Sequence, residues 1–181
     1  MTHPTVDVLE AGLDEVRRSP ADHGRVELIV RRPAVDEREI VHEAQLDATN
    51  GLLGDTWLAR GSRNGEPEPE RQLTVMNVRA AALVAQDPDR RPLAGDQLYV
   101  DFDISETNVP AGTRLAIGSA VIEFTEKPHT GCKKFAARFG QEALRFVNSP
   151  VGRQLRLRGA NARVVVPGTV RAGDSIEKLP S

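Results

Sequence analysis

Hydrophobic and polar positions recur with two different periods along this chain. Val6, Leu9, Leu13 and Val16 stand at helical spacing with Asp14, Glu15 and Arg17 elsewhere on the wheel, which predicts one amphipathic helix ended by Ser19 and Pro20. From Gly24 the period falls to two. Val26, Leu28 and Val30 alternate with Arg25, Glu27, Ile29 and Arg31, a half-buried strand in which Ile29 breaks the pattern. A short strand is expected over 40–46, and TNGLLGD (49–55) reads as a glycine turn that brings backbone amides to a surface. LARGSRNGEPEPER (58–71) is polar and rich in Gly and Pro, a loop that cannot build a core. A strand over 72–76 then runs into a helix from Asn77, where VRAAALVAQ has helical composition and Pro88 marks the exit.

The second half is more plainly β. Leu98, Val100, Phe102 and Ile104 alternate with Tyr99, Asp101 and Asp103, and two further extended pieces, TRLAIG and SAVIEFTEK, meet at Gly118. A weak echo links PAGTRLAIGSAVIE (110–123) with PGTVRAGDSIE (167–177), both strands entered through a tight turn. Between them KKFAARFG and QEALRFVNS supply helical turns with Phe135, Phe139, Leu144 and Val147 as buried positions, and Ser149-Pro150 is an N-cap followed by proline at the first helical position. Short strands with Gly and Pro at regular corners favour a small barrel, which closes its own edges. The expected class is mostly β with α: an N-terminal helix (1–22) packing on a barrel-like domain (23–179) with a helical insertion after the single cysteine.

With 181 residues and a formal net charge of −2, the chain has room for one well-buried core and lacks the bulk charge of a nucleic-acid binder. No apolar run approaches the roughly 20 residues of a membrane span, and the N-terminus lacks the basic-then-apolar order of a secretory signal, so a cytoplasmic location is expected. One cysteine forms no internal disulfide, in keeping with a reducing compartment. Aromatic residues make up only 4%, so Leu, Val, Ile and Ala must fill most of the core.

That cysteine, Cys132, lies in PHTGCKKFAARFG (128–140), at the predicted start of a helix and beside Lys133 and Lys134. Unpaired amides, the positive end of the helix dipole and two ammonium groups all favour a thiolate there, which would be a nucleophile and a soft metal ligand. Free cysteines are also among the most buried residues, and an inert, packed thiol is the plain alternative. His129 is a turn residue or a general acid, since no partners stand at metal-site spacing. Lys133, Lys134 and the arginines of RQLRLRGANAR (153–163) are ordinarily a solvated face. In an extended chain, however, Arg156 and Arg158 would project together, opposite Leu155 and Leu157, and could bind a phosphate if they faced the thiol. Asp55, Asp96 and Asp174, each after a glycine, read as turn formers.

The ordered run GLLGD (51–55), RQLTVMN (71–77), LAGDQLYVDFDIS (93–105), GTRLAIGSAVIEFTEKPHTGC (112–132) and RGANARVVVPGTVRAGDSIE (158–177) resembles the MOSC domain, named for the C-terminal part of molybdenum-cofactor sulfurases and also found as stand-alone bacterial proteins. The resemblance implies a barrel-like fold with a cysteine at its centre of activity, either carrying sulfur as a persulfide or ligating the molybdenum of a pterin cofactor; the matching residue is Cys132. Some relatives reduce N-hydroxylated compounds with molybdenum and receive electrons from separate partners. Two departures stand out. Many relatives have proline before the cysteine and Gly-Glu-Asn in the middle motif, where this chain has Gly131 and Gly95-Asp96-Gln97. Pyridoxal phosphate belongs to a separate desulfurase domain for which the chain has no room.

Three readings follow. Cys132 engages a molybdenum-pterin centre whose phosphate meets basic residues drawn from Lys133, Lys134, Arg156, Arg158 and Arg163, with His129 as proton donor, in an oxidoreductase served by a redox partner. Alternatively Cys132 is a persulfide carrier, sulfurtransferase-like, loaded by a cysteine desulfurase. The third is a non-catalytic module that binds a small anion.

Overall fold

The structure, a computed structural model, describes residues 2–61 and 64–181. Its strands are β1 (Gly24–Arg31), β2 (Glu39–Val41), β3 (Glu43–Asp47), β4 (Gly51–Leu52), β5 (Leu73–Asn77), β6 (Leu98–Asp101), β7 (Arg114–Ile117), β8 (Ala120–Phe124), β9 (Ala160–Val166), β10 (Gly168–Arg171) and β11 (Ser175–Lys178). Its α-helices are α1 (Val6–Ala11), α2 (Leu13–Arg17), α3 (Trp57–Arg60), α4 (Val78–Ala85), α5 (Lys133–Phe139), α6 (Gln141–Val147) and α7 (Pro150–Gln154). The expected single N-terminal helix is broken at Gly12, which caps α1 and opens α2 against Leu83. Within the predicted loop 58–71, α3 reaches Arg60 and a 3-10 turn occupies Pro69–Arg71; Ser62 and Arg63 lie outside the described residues.

Seven strands close a barrel in the order β1-β6-β5-β9-β8-β7-β11, and β11 returns to β1 through Gly24↔Ile176 and Arg25↔Ser175. Among the described residues only the β5–β6 pair is parallel, and it needs the crossover supplied by α4 and the 3-10 turn Pro88–Ala94. Asn77 caps α4 by accepting from Arg79 N at 2.8 Å. β2 pairs with the far half of β1, and a second sheet, β10-β3-β4, adds Ala44, Leu46, Leu52 and Val170 to the barrel interior.

Two apolar layers share the central strands. Val26, Ile29, Val75, Leu98 and Val100 point into the barrel, where the filling is aliphatic apart from Phe102 and Phe124. Val30, Met76 and Tyr99 point outward into a second cluster, under Leu9, Val84, Phe135, Phe139 and Phe146 of the helices. Strands covered on both faces lose the clean in-out alternation. Ile29, irregular in the sequence, therefore faces the barrel, and a bulge between Val26 and Leu28 resets the register. Each such side chain removed from water stabilises the fold by about 1.5–3 kcal/mol. The end of β1, the starts of β6 and β9 and the end of β8 lie at one end of the barrel, where the functional side chains gather.

Candidate functional site

The segment leading from β8 to the cysteine is held at both ends by asparagines. Asn161 Nδ2 donates to the carbonyls of Lys127 (3.0 Å) and Pro128 (3.3 Å). Asn148 accepts from Gly131 N at 2.9 Å and donates to Gly131 O at 3.1 Å. That pairing accounts for glycine where relatives carry proline: proline has no N–H to donate, and any Cβ at 131 would stand 2.7 Å from Leu144 Cδ1. Cys132 follows as the N-cap of α5 with an exposed, unpaired thiol.

The thiol borders a cleft of about 220 Å³ whose wall carries six cations, Arg32, Arg38, Arg60, Lys134, Arg138 and Arg158, against one carboxylate, Asp36. Arg32 is anchored from behind by Asp55, which it grips with Nε (2.8 Å) and Nη2 (2.7 Å) while donating Nη1 to Gly95 O. Burial pushes the Asp55 carboxyl up, but Arg32 outweighs it and holds the group below the usual carboxylate range. Arg138 donates to Leu93 O and reaches Asp36 at 3.3 Å. Arg38 has no carboxylate partner among the described residues, and its Nε is buried without a hydrogen bond. Burial, then the charges of Arg138 and Arg32, lower its guanidinium below the usual value. Gly95 keeps the space beside it open, since a Cβ there would lie 3.1 Å from Arg38 Nη2.

Behind the cleft lies a buried triad. Asp96, fully enclosed, accepts from Arg158 Nη1 at 2.5 Å and meets His129 Nε2 at 3.1 Å. Arg158 also donates to Ala94 O and covers the Phe135 ring, while its Nε has no partner. Burial would raise Asp96, yet Arg158 and then His129 hold it below the usual range. Burial, followed by the charge of Arg158, lowers His129 and favours neutral imidazole. Gly159, at φ 116°, permits this approach: a Cβ there would sit 2.9 Å from Asp96 Oδ1 and 3.1 Å from His129 Cδ2. The neighbouring Gln97 ties the triad to β5 by accepting from Thr74 N at 2.8 Å.

The sequence-predicted residues separate in space. Cys132, Lys134 and Arg158 share the basic cleft. His129 instead borders two adjoining cavities, one of about 640 Å³ with Arg32, Trp57, Arg60 and Asn161, the other of about 360 Å³ with Arg153, Arg156 and Arg158. Lys133 is exposed on α5. The run 155–158 is a turn, with Arg156 at φ 51°, so Arg156 and Arg158 do not project from an extended strand. Arg156 donates to the carbonyls of Ile104 and Val109 and stacks on Phe124. Arg163 pairs with Glu123 at 2.8 Å in a separate hollow lined by Glu70 and Glu126. Sequence reasoning missed Arg32, Arg38, Arg60 and Arg138, and it took Asp55 and Asp96 for turn formers; of the three aspartates, only Asp174 stays at the surface of a turn, accepting from Arg171 N. Among the described residues no group of three or more His, Cys, Asp or Glu side chains could hold a metal ion, and no helix is long and apolar enough to cross a membrane.

The MOSC domain profile fits residues 68–177, and the chain belongs to that family. Among solved structures it is similar to the YuaD protein from Bacillus subtilis (21% identity, TM-score 0.61, covering 86% of this chain and 94% of that one). It is also similar to YiiM from Escherichia coli (21%, TM-score 0.58, 87% and 70%) and YiiM from Geobacillus stearothermophilus (12%, TM-score 0.57, 87% and 75%). At these identities the likeness is one of fold. No curated protein matches.

Proposed function

We propose that the chain binds a molybdenum-pterin cofactor, with Cys132 Sγ as a ligand of the metal and the cofactor's phosphate in the cleft of Arg32, Arg38, Arg60, Lys134 and Arg138. One observation carries this reading: the only thiol is exposed in the wall of a cleft whose cations outnumber its carboxylates, and one of them, Arg38, has a buried donor left unpaired. An unpaired buried N–H costs about 1–3 kcal/mol, so Arg38 is held beside the cleft at a cost that its local packing does not offset. The donor set therefore fits an anionic, thiolate-ligated group.

When bound, such a cofactor supplies two-electron chemistry suited to N-hydroxylated compounds, the activity that family membership suggests. The chain's own residues do the rest. Asp55 fixes Arg32 so that its guanidinium presents to the cleft in one orientation, and Arg138 is held by Leu93 O. Asp96 and Arg158 set the proton state of His129 one layer behind. Arg158 borders the cleft from within, while Arg156 and Arg163 spend their donors on Ile104, Val109 and Glu123. The test is the molybdenum and pterin content of protein isolated from a host able to make the cofactor. Wild type is expected to hold both, and Cys132→Ser to lose the metal; equal molybdenum in the two would rule out ligation by this sulfur.

The exposure of Cys132 also favours a second reading, a persulfide carrier loaded by a cysteine desulfurase. Incubation with a desulfurase and cysteine should then add the mass of one sulfur at Cys132. An unchanged thiol under conditions that load a known carrier removes that reading.

A further inference from the structure

His129 stands where two cavities meet, and its two ring nitrogens have different surroundings. Nε2 lies 3.1 Å from Asp96 Oδ1. Asp96, paired with the Arg158 guanidinium, is a carboxylate and can only accept, so Nε2 carries the hydrogen. Nδ1 has no hydrogen-bond partner among the described residues and is not sealed from the cavities, the side chain being 17% exposed. Burial and the Arg158 charge keep the ring neutral, so Nδ1 presents a lone pair. The larger cavity that His129 borders has the guanidinium groups of Arg32 and Arg60, and its one carboxylate among the described residues, Glu68, is paired with Arg71 at 3.0 Å, while the Asn161 amide is taken up by the carbonyls of Lys127 and Pro128. A ligand that satisfies this wall must offer negative oxygen to the arginines and a hydrogen to Nδ1.

We propose that the cavity of about 640 Å³ bounded by His129, Arg32 and Arg60 binds oxyanions that carry a donatable proton, phosphate rather than sulfate, because Asp96 and Arg158 fix His129 there as a hydrogen-bond acceptor. Asp96 and Arg158 are positioning residues in this arrangement: they decide which nitrogen faces the ligand. Sulfate has the shape and charge to meet the arginines, but at neutral pH it has no hydrogen to donate. It would set an oxygen against the Nδ1 lone pair. The selectivity goes beyond the molybdenum reading and is a property of the chain free of that cofactor, since Arg32 and Arg60 border both cavities.

The test uses the full chain, prepared in a host that makes no molybdenum cofactor and labelled with 15N-histidine. The four histidines of the sequence are few enough to assign with the variant His129→Gln. At pH 7 the wild type is expected to show Nε2 protonated and Nδ1 bare at His129. Inorganic phosphate should shift the Nδ1 resonance saturably, while sulfate should need at least about tenfold higher concentration, the factor expected when one acceptor is left facing an acceptor. Asp96→Glu keeps the tautomer and the preference. Asp96→Asn, whose amide can donate to Nε2, moves the hydrogen to Nδ1 and abolishes the preference. A wild-type ring with hydrogen on Nδ1, or equal affinities for phosphate and sulfate at His129, overturns the proposal even if both variants fail to fold.

Discussion

Asp55 and Asp96 are near twins. Each follows a glycine with φ 86°, each has a fully enclosed side chain, and each grips an arginine that lines the same cleft. They differ in how the remaining lone pairs are spent. Asp55 accepts from Nε and Nη2 of Arg32, from its backbone N–H and from Trp57 N, a closed pair that serves only to hold one guanidinium. Asp96 divides itself between Arg158 and His129, and through the histidine its charge reaches a cavity. A buried carboxylate whose bonds all return to one arginine and the adjacent backbone is scaffolding, whereas one shared with a titratable ring sets what that ring can do.

The largest effects should fall on stability and should not separate the two. Asp55→Ala and Asp96→Ala each strand a buried guanidinium, and each is expected to cost about 3–5 kcal/mol in urea unfolding. The comparison breaks if one of them is neutral. It sharpens in the 15N spectrum, where Asp55→Asn should leave the His129 tautomer unchanged.

Arg38 supplies a smaller effect of opposite sign. It is partly buried with no ion pair among the described residues, and burial and the neighbouring arginines outweigh the charge of Asp36, so Arg38→Met should raise stability by about 1 kcal/mol while weakening anion binding in the cleft, a trade of stability for function. A loss of stability would show that Arg38 has a structural partner.

His129 gives a pH dependence whose sign is fixed. Its folded value is lowered, so the unfolded chain takes up a proton first as pH falls below about 6.5, and stability should decline from there toward the lower folded value. His129→Gln should flatten that part of the urea midpoint curve. The acid-side loss as the depressed Asp55 and Asp96 protonate, below about pH 4, should remain in the variant. The smallest effect belongs to Cys132→Ser. The thiol is exposed and makes no capping hydrogen bond, so stability should stay within about 0.5 kcal/mol.

Local chemistry made much of the fold legible in the sequence. A helix begins at Asn77, Ser149 caps another as its proline neighbour suggested, Gly118 turns the β7–β8 hairpin, and Cys132 opens a helix. Strand faces were harder to read wherever helices cover the outside of the barrel. Tyr99 sits at a nominally outward position and is fully buried, and Phe102 and Ile104 stay in the core although β6 ends at Asp101. The site itself was half visible. Cys132 is singular in composition, but Arg32, Arg38, Arg60 and Arg138 are unremarkable in their own segments and converge only because the barrel closes. Asp55 and Asp96 each carry the Gly-Asp signature of a turn, and nothing local distinguishes a solvated carboxylate from one buried against an arginine 23 or 62 positions away. Their places in GLLGD, part of the run that resembles the family, and in Gly95-Asp96-Gln97, where many relatives have Gly-Glu-Asn, were the available signal.

The proposed function requires that Cys132 Sγ ligate a metal at the mouth of the cleft. Anomalous diffraction at the molybdenum edge, from crystals of protein made in a cofactor-competent host, would locate that metal directly. The expected map has one peak bonded to Cys132 Sγ, absent in Cys132→Ser. A peak of equal height in both crystals, or one remote from the Arg38 cleft, would contradict it.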